Sequence, residues 1–335
     1  MTPDKASVAL VVPLYNEEAL THILVREIET FRRDRPEIQE ILLIDDGSRD
    51  DTFRNLVALT DGLDGYVLVR FSRNFGHQLA VTAGLDLVTA NAAVIMDADL
   101  QDPLEVAGRM IDTWREGYDV VYGIRRERGG MSFTERWTAR VFYRVFRRFS
   151  GIDAPLDAGD FRLVSRRVMD AWKDLSEQQP YVRGLIAWLG FNQTGIEYDR
   201  PARVAGTSKY PMVKRLQLAL DGLASFSAQP LRLAVRLGLL VSAGSVFGLL
   251  WVLVTKYVLG TAITGWASLI FVGFFFGGVQ LFFLGVVGSY VARVYDEVKG
   301  RPRYVVQEIR TSRSHGAEQN GNDVVGEDRT GEQGI

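Results

Sequence analysis

A chain of 335 residues is long enough for one large domain or two ordinary ones. Its formal net charge of -2 leaves no basic footprint for nucleic acid, and the absence of cysteine excludes disulfides, thiolate metal sites and cysteine nucleophiles. A reducing compartment fits that absence, and the opening MTPDKASVALVVP lacks the basic-then-apolar layout of a secretory leader, so the start of the chain is expected to stay in the cytosol.

In chain order, VALVVPLY (8–15) reads as a strand and the stretch from Glu17 to Arg33 as a helix. EILLIDD (40–46) is a second strand, followed by a GSRDDT turn and a helix start near Asp50 to Thr52. YVLVRF (66–71) is a third strand and 78–90 a helix. AAVIMDAD (92–99) is a fourth strand, Pro103 suits the first turn of the next helix, and YDVVYGIR (118–125) is a fifth strand. Apolar strands alternating with helices predict an α/β fold, a mostly parallel sheet flanked by helices on both faces.

Further along, Trp137, Val141, Phe142, Val145, Phe146 and Phe149 recur at helical spacing, interleaved with Arg136, Arg140, Arg144, Arg147 and Arg148. That is the pattern of a basic amphipathic helix at a membrane surface. VKRLQLALDGLASFSAQPLRLAV is a second such candidate. Residues 237–255 and 266–292 carry no charge, and each reaches roughly the 20 residues that cross the hydrocarbon layer as a helix. Arg232 and Arg236 precede the first run, and Arg293, Lys299, Arg301 and Arg303 follow the second, whereas the loop between them has only Lys256. The positive-inside rule places both outer ends in the cytoplasm. The tail from about 312 has few large apolar residues and is expected to be disordered.

In parallel sheets ligands bind beyond the carboxyl ends of the strands. Here the ends of strands one, two and four read PLYNEE, DDGS and DADLQD, so acids gather on one rim. Asp97 and Asp99 flank a single alanine, and carboxylates so placed repel unless a cation lies between them. Hard oxygen ligands select Mg²⁺ or Mn²⁺, an ion commonly completed by substrate phosphates. The chain contains neither a P-loop nor a G-x-G-x-x-G after a strand, so a nucleotide diphosphate would be held by metal and side chains instead. Such a site suits transfer of a group from the diphosphate.

The segments VVPLYNEE, ILLIDDGSRDDT, RNFGHQLAVTAGL, MDADLQDP, DAGDFRL and RVAGTSKY together resemble the family 2 glycosyltransferases of the GT-A (Rossmann-like) fold. They match the polyprenyl-phosphate branch in particular, which includes dolichol-phosphate mannosyltransferase and the bacterial bactoprenol glucosyltransferases. The resemblance spans about residues 7–300. It implies that Pro13, Leu14, Tyr15, Glu17, Asp45 or Asp46, Asp97 and Ala98 hold the nucleotide, with Arg203 and Lys209 closing over the diphosphate. Asp97, Asp99 and Gln101 would contact Mg²⁺ or Mn²⁺. His77 would lie near the donor, while His22 and His315 read as surface residues.

A membrane-anchored transferase calls for a lipid acceptor, and a lipid phosphate calls for arginine. Arg125 at the end of strand five is the first candidate, followed by Arg136 and Arg140. Asp157 is assigned to positioning or base work, with Asp160 a weaker candidate. QQPYVRGL (178–185) has no tryptophan after Arg183, so the Q-x-x-R-W motif of processive synthases is absent. The expectation is an inverting, non-processive transferase at the cytoplasmic face of a bacterial inner membrane. It would move a hexose from a nucleotide sugar, UDP-glucose first, to undecaprenyl or a related polyprenyl phosphate. A GDP-mannose or aminoarabinose donor, and a non-catalytic scaffold for a lipid flippase, are the alternatives. Residues 1–230 form the cytosolic catalytic domain, 231–300 a membrane hairpin (about 237–257 and 266–292) and 301–335 a cytosolic tail. Relatives imply a homo-oligomer, a tetramer, and glycines 273, 277, 278, 285 and 288 would allow close helix packing.

Overall fold

The structure, a computed structural model, describes residues 6–126, 158–199 and 265–312, with separate positions between 231 and 258. The elements in chain order are β1 (Val8–Leu14), α1 (Thr21–Asp34), β2 (Ile38–Asp45), α2 (Thr52–Thr60), β3 (Tyr66–Phe71), α3 (His77–Leu87), β4 (Ala92–Ile95), α4 (Leu104–Arg115) and β5 (Val120–Arg125). After residue 157 come β6 (Ala158–Ser165), α5 (Arg166–Lys173), α6 (Val182–Trp188), β7 (Gln193–Tyr198), α7 (Trp266–Val298) and β8 (Val306–Thr311).

The eight strands form one sheet in the order β7-β5-β6-β4-β1-β2-β3-β8. β1 pairs in parallel with β2 on one side and β4 on the other. Every residue of β1 is buried, because it runs through the middle of the sheet with helices on both faces. Leu24, Ile28, Phe53, Leu56, Met110 and Ile111 bring α1, α2 and α4 onto one face. Val81, Met169, Trp172, Leu185 and Ile186 bring α3, α5 and α6 onto the other. The five strands and the helices expected between them all appear, with boundaries shifted by a few residues. Pro103 stands just before α4 rather than inside its first turn.

Two strands run against the rest. β6 is antiparallel to both β4 and β5, and β8 is antiparallel to β3 at the far edge. The sequence predicts a tail at 301–311. Instead the chain returns after α7 and closes the sheet, with Ser72 N–H donating to Val305 O (3.0 Å) and Ser312 N–H to Tyr66 O (3.0 Å).

α7 is a single helix of 33 residues. It is the one helix among the described residues long and apolar enough to cross a membrane, and its apolar window within Phe275–Val298 is not buried. For the first expected span, the separate described positions are helical, with Leu240, Phe247, Leu250 and Trp251 exposed. The rest of that span, the amphipathic stretch 131–149, the second candidate at 213–235 apart from two positions, and the tail beyond 312 lie outside the described residues.

Candidate active site

β2 and β3 extend from one side of β1 and β4 lies on the other, so the strand order turns between β1 and β4. A cavity of about 300 Å³ opens at their carboxyl ends. Pro13, Leu14, Tyr15 and Glu17 line it from β1, Asp97, Ala98 and Asp99 from β4, and Asp46 from β2. Asn74, Gly76, His77 and Ala80, at the start of α3, close it.

Local geometry explains this convergence. Gly47 in the DDGS turn has φ +67°, and a Cβ there would meet the Arg73 backbone at 2.3 Å. The turn brings Ser48 Oγ to accept from Asn16 N–H (2.9 Å). Asp46 accepts from the N–H groups of Phe75 (2.6 Å) and Gly76 (2.9 Å), which fastens the chain entering α3 to β2. Burial raises the pKa of Asp46 despite those bonds. Asp45 does not line the cavity: fully buried, it accepts from Ser48 N–H (3.2 Å) and lies 3.4 Å from Arg70 Nε. It shapes the turn, whereas Asp46 faces the ligand space.

On the opposite wall the loop after β4 folds on its own acids. Asp97 N–H donates to Asp102 Oδ2 (3.3 Å) and Gln101 N–H to Asp99 Oδ1 (3.1 Å). Leu100 takes φ +54°, a left-handed conformation costly for leucine, of the kind that concentrates at functional sites. Burial and the neighbouring Asp102 push Asp97 up to about 6, with Asp160 and Asp99 adding to the rise and His77 opposing it. Among the described residues no three acids or histidines converge as a finished metal cage. Two crowded carboxylates do fit a divalent ion whose remaining ligands come from substrate oxygens. Gln101 is buried and does not line the cavity, and its backbone N–H ties it to Asp99.

A second, larger cavity of about 910 Å³ adjoins the first and shares Glu17, Gly76, His77 and Asp97 with it. Its other walls include Phe75, Arg125, Gly159, Asp160, Gln178, Gln179, Pro180 and Arg183. Arg125 Nε donates to Tyr198 OH (3.2 Å), Tyr198 OH donates to Asp102 Oδ1 (2.9 Å), and Arg125 Nη2 is 3.8 Å from that same oxygen. The third acid of DADLQD thus orients the arginine expected to receive a phosphate. At the boundary, His77 Nε2 lies 3.3 Å from Asp160 Oδ2 and 3.8 Å from Asp97 Oδ1. Asp160 also accepts from Gln78 Nε2 (3.1 Å) and pairs with Arg183 Nε (3.3 Å). Burial alone would raise the Asp160 carboxyl, but His77, Arg183 and Arg162 hold it below the usual carboxylate range. For His77 burial is the largest influence and opposes protonation, yet Asp160 and Asp97 leave its pKa raised.

The structure therefore brings together Pro13, Leu14, Tyr15, Glu17, Asp46, Asp97, Ala98 and Asp99, with Arg125 in the adjoining cavity. Asp157, Arg136, Arg140, Arg203 and Lys209 lie outside the described residues. The sequence motifs assign no site role to Asp102, Gln78, Tyr198 or Arg183. DADLQD carried a visible signal for Asp102, whereas Tyr198 comes from a strand far along the chain.

The sheet, its crossing point and the acidic strand ends define a glycosyltransferase of the GT-A type. The glycosyl transferase family 2 profile matches residues 9–172. Over 302 residues the chain is 45% identical to an uncharacterized glycosyltransferase of Bacillus subtilis, covering 89% of this chain and 93% of the relative. It is 39% identical to the bactoprenol glucosyl transferase of Shigella phage SfX, covering 90% and 98%. This chain belongs to glycosyl transferase family 2. Glucosyl-3-phosphoglycerate synthase from Mycobacterium tuberculosis, solved with Mn²⁺, UDP and glucosyl-3-phosphoglycerate, shares the fold. It aligns with a TM-score of 0.50 at 17% identity, covering 67% of this chain and 79% of that one.

Proposed function

We propose that this enzyme transfers glucose from UDP-glucose to a polyprenyl phosphate at the cytoplasmic face of a membrane, with inversion and one sugar per encounter. The observation that carries this reading is the pair of contiguous cavities meeting at His77 and Asp97, one rimmed by acids and the other holding two guanidinium groups. The nucleotide fits the smaller cavity, its base and ribose against Tyr15, Glu17 and Asp46 and its diphosphate toward Asp97 and Asp99. A divalent ion, Mg²⁺ or Mn²⁺, bound at those carboxylates would neutralise charge on the departing diphosphate. Arg203 and Lys209 are assigned to closing over that diphosphate, and Asp157 to positioning substrate.

The acceptor phosphate fits the larger cavity. Arg125, held by Tyr198 and Asp102, and Arg183, held by Asp160, supply planar donor groups suited to its oxygens. A phosphate monoester has a second pKa near 6 and is largely dianionic at neutral pH. Its oxygen attacks the anomeric carbon as the bond to UDP breaks. The products are a phosphodiester-linked sugar and UDP, and no proton need be removed from the nucleophile. The bactoprenol glucosyl transferase relatives support the acceptor class and the sugar. The lack of a Q-x-x-R-W motif supports single transfer.

The test is a panel of radiolabelled nucleotide sugars offered with undecaprenyl phosphate in membranes, with Mg²⁺, with Mn²⁺ and with chelator. UDP-glucose is expected to label the lipid in a metal-dependent way, and Asp99→Asn to abolish labelling while the protein stays folded. Full turnover by that variant would remove the metal assignment, and labelling by GDP-mannose alone would replace the donor.

A further inference from the structure

The end of α7 and the segment that leaves it touch one side of the larger cavity directly and reach the other through a single intervening ring. From one side, Gln178 N–H donates to Glu297 Oε1 (2.9 Å), and Arg303 Nη1 donates to Leu175 O (3.3 Å). Those two bonds hold residues 175–178, which lead directly into the wall residues Gln178, Gln179 and Pro180. From the other side, the Tyr304 ring stacks on Phe71 (centroids 5.1 Å, 16° apart). Phe71 in turn meets Phe75, a wall residue, edge to face at 5.7 Å. Asp86 on α3 anchors the arrangement by accepting from Tyr304 OH (3.1 Å) and pairing with Arg303 (3.5 Å). β8 begins immediately afterwards and fixes the segment to the edge of the sheet.

The position of this contact along α7 carries the inference. Arg293 is the first charged residue after the long apolar stretch, and Glu297 follows four positions on, roughly 6 Å further at 1.5 Å rise per residue. With α7 in a bilayer, Glu297 sits at headgroup depth, and the cavity wall it bonds sits there too. We propose that Glu297, Arg303 and Tyr304 act as positioning residues. They clamp the acceptor cavity at the height of lipid phosphates, so that a membrane-borne acceptor meets an already aligned site. This rests on the acceptor assignment above, but the clamp itself can be read without substrate.

The experiment uses the full-length protein in lipid nanodiscs. Hydrogen exchange at residues 174–181 is expected to quicken in Glu297→Ala and Arg303→Ala. In the same variants, KM for undecaprenyl phosphate is expected to rise about tenfold, the scale of one hydrogen bond. KM for UDP-glucose and for a water-soluble short-chain prenyl phosphate should keep wild-type values, and Glu297→Gln, which retains an acceptor oxygen, should restore the long-chain KM. Unchanged exchange, an equal loss with both acceptors, or failure of Glu297→Gln to rescue would overturn the proposal. Should the wild type glucosylate neither acceptor, the functional reading falls, while the exchange measurement still decides whether the clamp exists.

Discussion

Gly159 lies against the guanidinium of Arg125, and a Cβ placed there would meet Nη2 at 2.6 Å and Cζ at 3.0 Å. The obstruction is the far end of a flexible side chain, so Gly159→Ala is expected to fold normally but displace Arg125 from its bond to Tyr198. Steady-state kinetics should show KM for the acceptor rising about tenfold, equivalent to about 1.4 kcal/mol, with KM for the donor unchanged. A loss confined to the donor would refute the assignment of Arg125. Asp97 gives a pH prediction at the same scale. Because its folded pKa is raised to about 6 from 3.8, the protonated form is favoured in the fold. That contribution is fully present below pH 3.8 and is lost as pH rises through about 6. Without metal, Asp97→Asn should therefore raise Tm at pH 7.5 and change it little at pH 4. Mn²⁺ should raise Tm of the unsubstituted protein more at pH 7.5 than at pH 5, as differential scanning fluorimetry can check. Asp97 and Asp99 were legible in the sequence because carboxylates directly after a buried strand have little structural reason to be there. Arg183 and Tyr198 were not. Each is held in place by a partner, Asp160 or Asp102, which lies 23 or 96 positions away.

Individual elements divide along the same physical line. β1 to β5 were readable because strands buried on both faces need continuous apolar runs, and VALVVPL and EILLID supply them. β6 has no such run, since AGDFRLVS interrupts its apolar residues with Asp160 and Arg162. Both serve the site region: Arg162, almost fully buried, donates to Gly159 O (2.9 Å). β7 (QTGIEY) is a mixed edge strand, and β8 (VQEIRT) alternates on an exposed edge beyond a long apolar helix. Neither pattern differs from that of a polar loop until its partner strand is known. α3 gives the element-scale prediction. It packs on β1 through Gly84, where a Cβ would stand 2.2 Å from Val11 Cγ1, a rigid β-branched side chain in the core. Gly84→Ala is expected to destabilise the protein by about 1–3 kcal/mol by overpacking. Combining it with Val11→Ala, which opens that space, should cost less than the two single changes added together. Additive denaturant midpoints would place the strain elsewhere.

At the scale of the whole molecule, the return of the chain to the sheet constrains its relation to a bilayer. β8 pairs with β3, and only Lys299 to Val305 separate it from the end of α7. The carboxyl end of α7 must therefore lie on the same side as the catalytic sheet, whatever its amino end does. At 1.5 Å per residue α7 would extend about 50 Å, more than the roughly 30 Å hydrocarbon layer, so it has length to cross and still reach Gln178. The flanking arginines and the lone Lys256 predict a hairpin, of which the described residues include one complete helix, α7. The closing strand was not legible in sequence, because its pairing joins residues more than 200 positions apart. A hairpin would place the loop between the apolar runs opposite the sheet. The chain has no cysteine, so single substitutions can be labelled without background. Thr261→Cys is expected to react with a membrane-impermeant maleimide in spheroplasts, and Arg301→Cys only after permeabilisation. Labelling of both before permeabilisation, or of Arg301→Cys alone, would contradict a crossing helix tethered to a cytoplasmic sheet. Protection of both until permeabilisation would mean that the apolar runs lie along the inner surface instead of spanning it. In that case the acceptor would have to approach the Glu297 side of the cavity laterally.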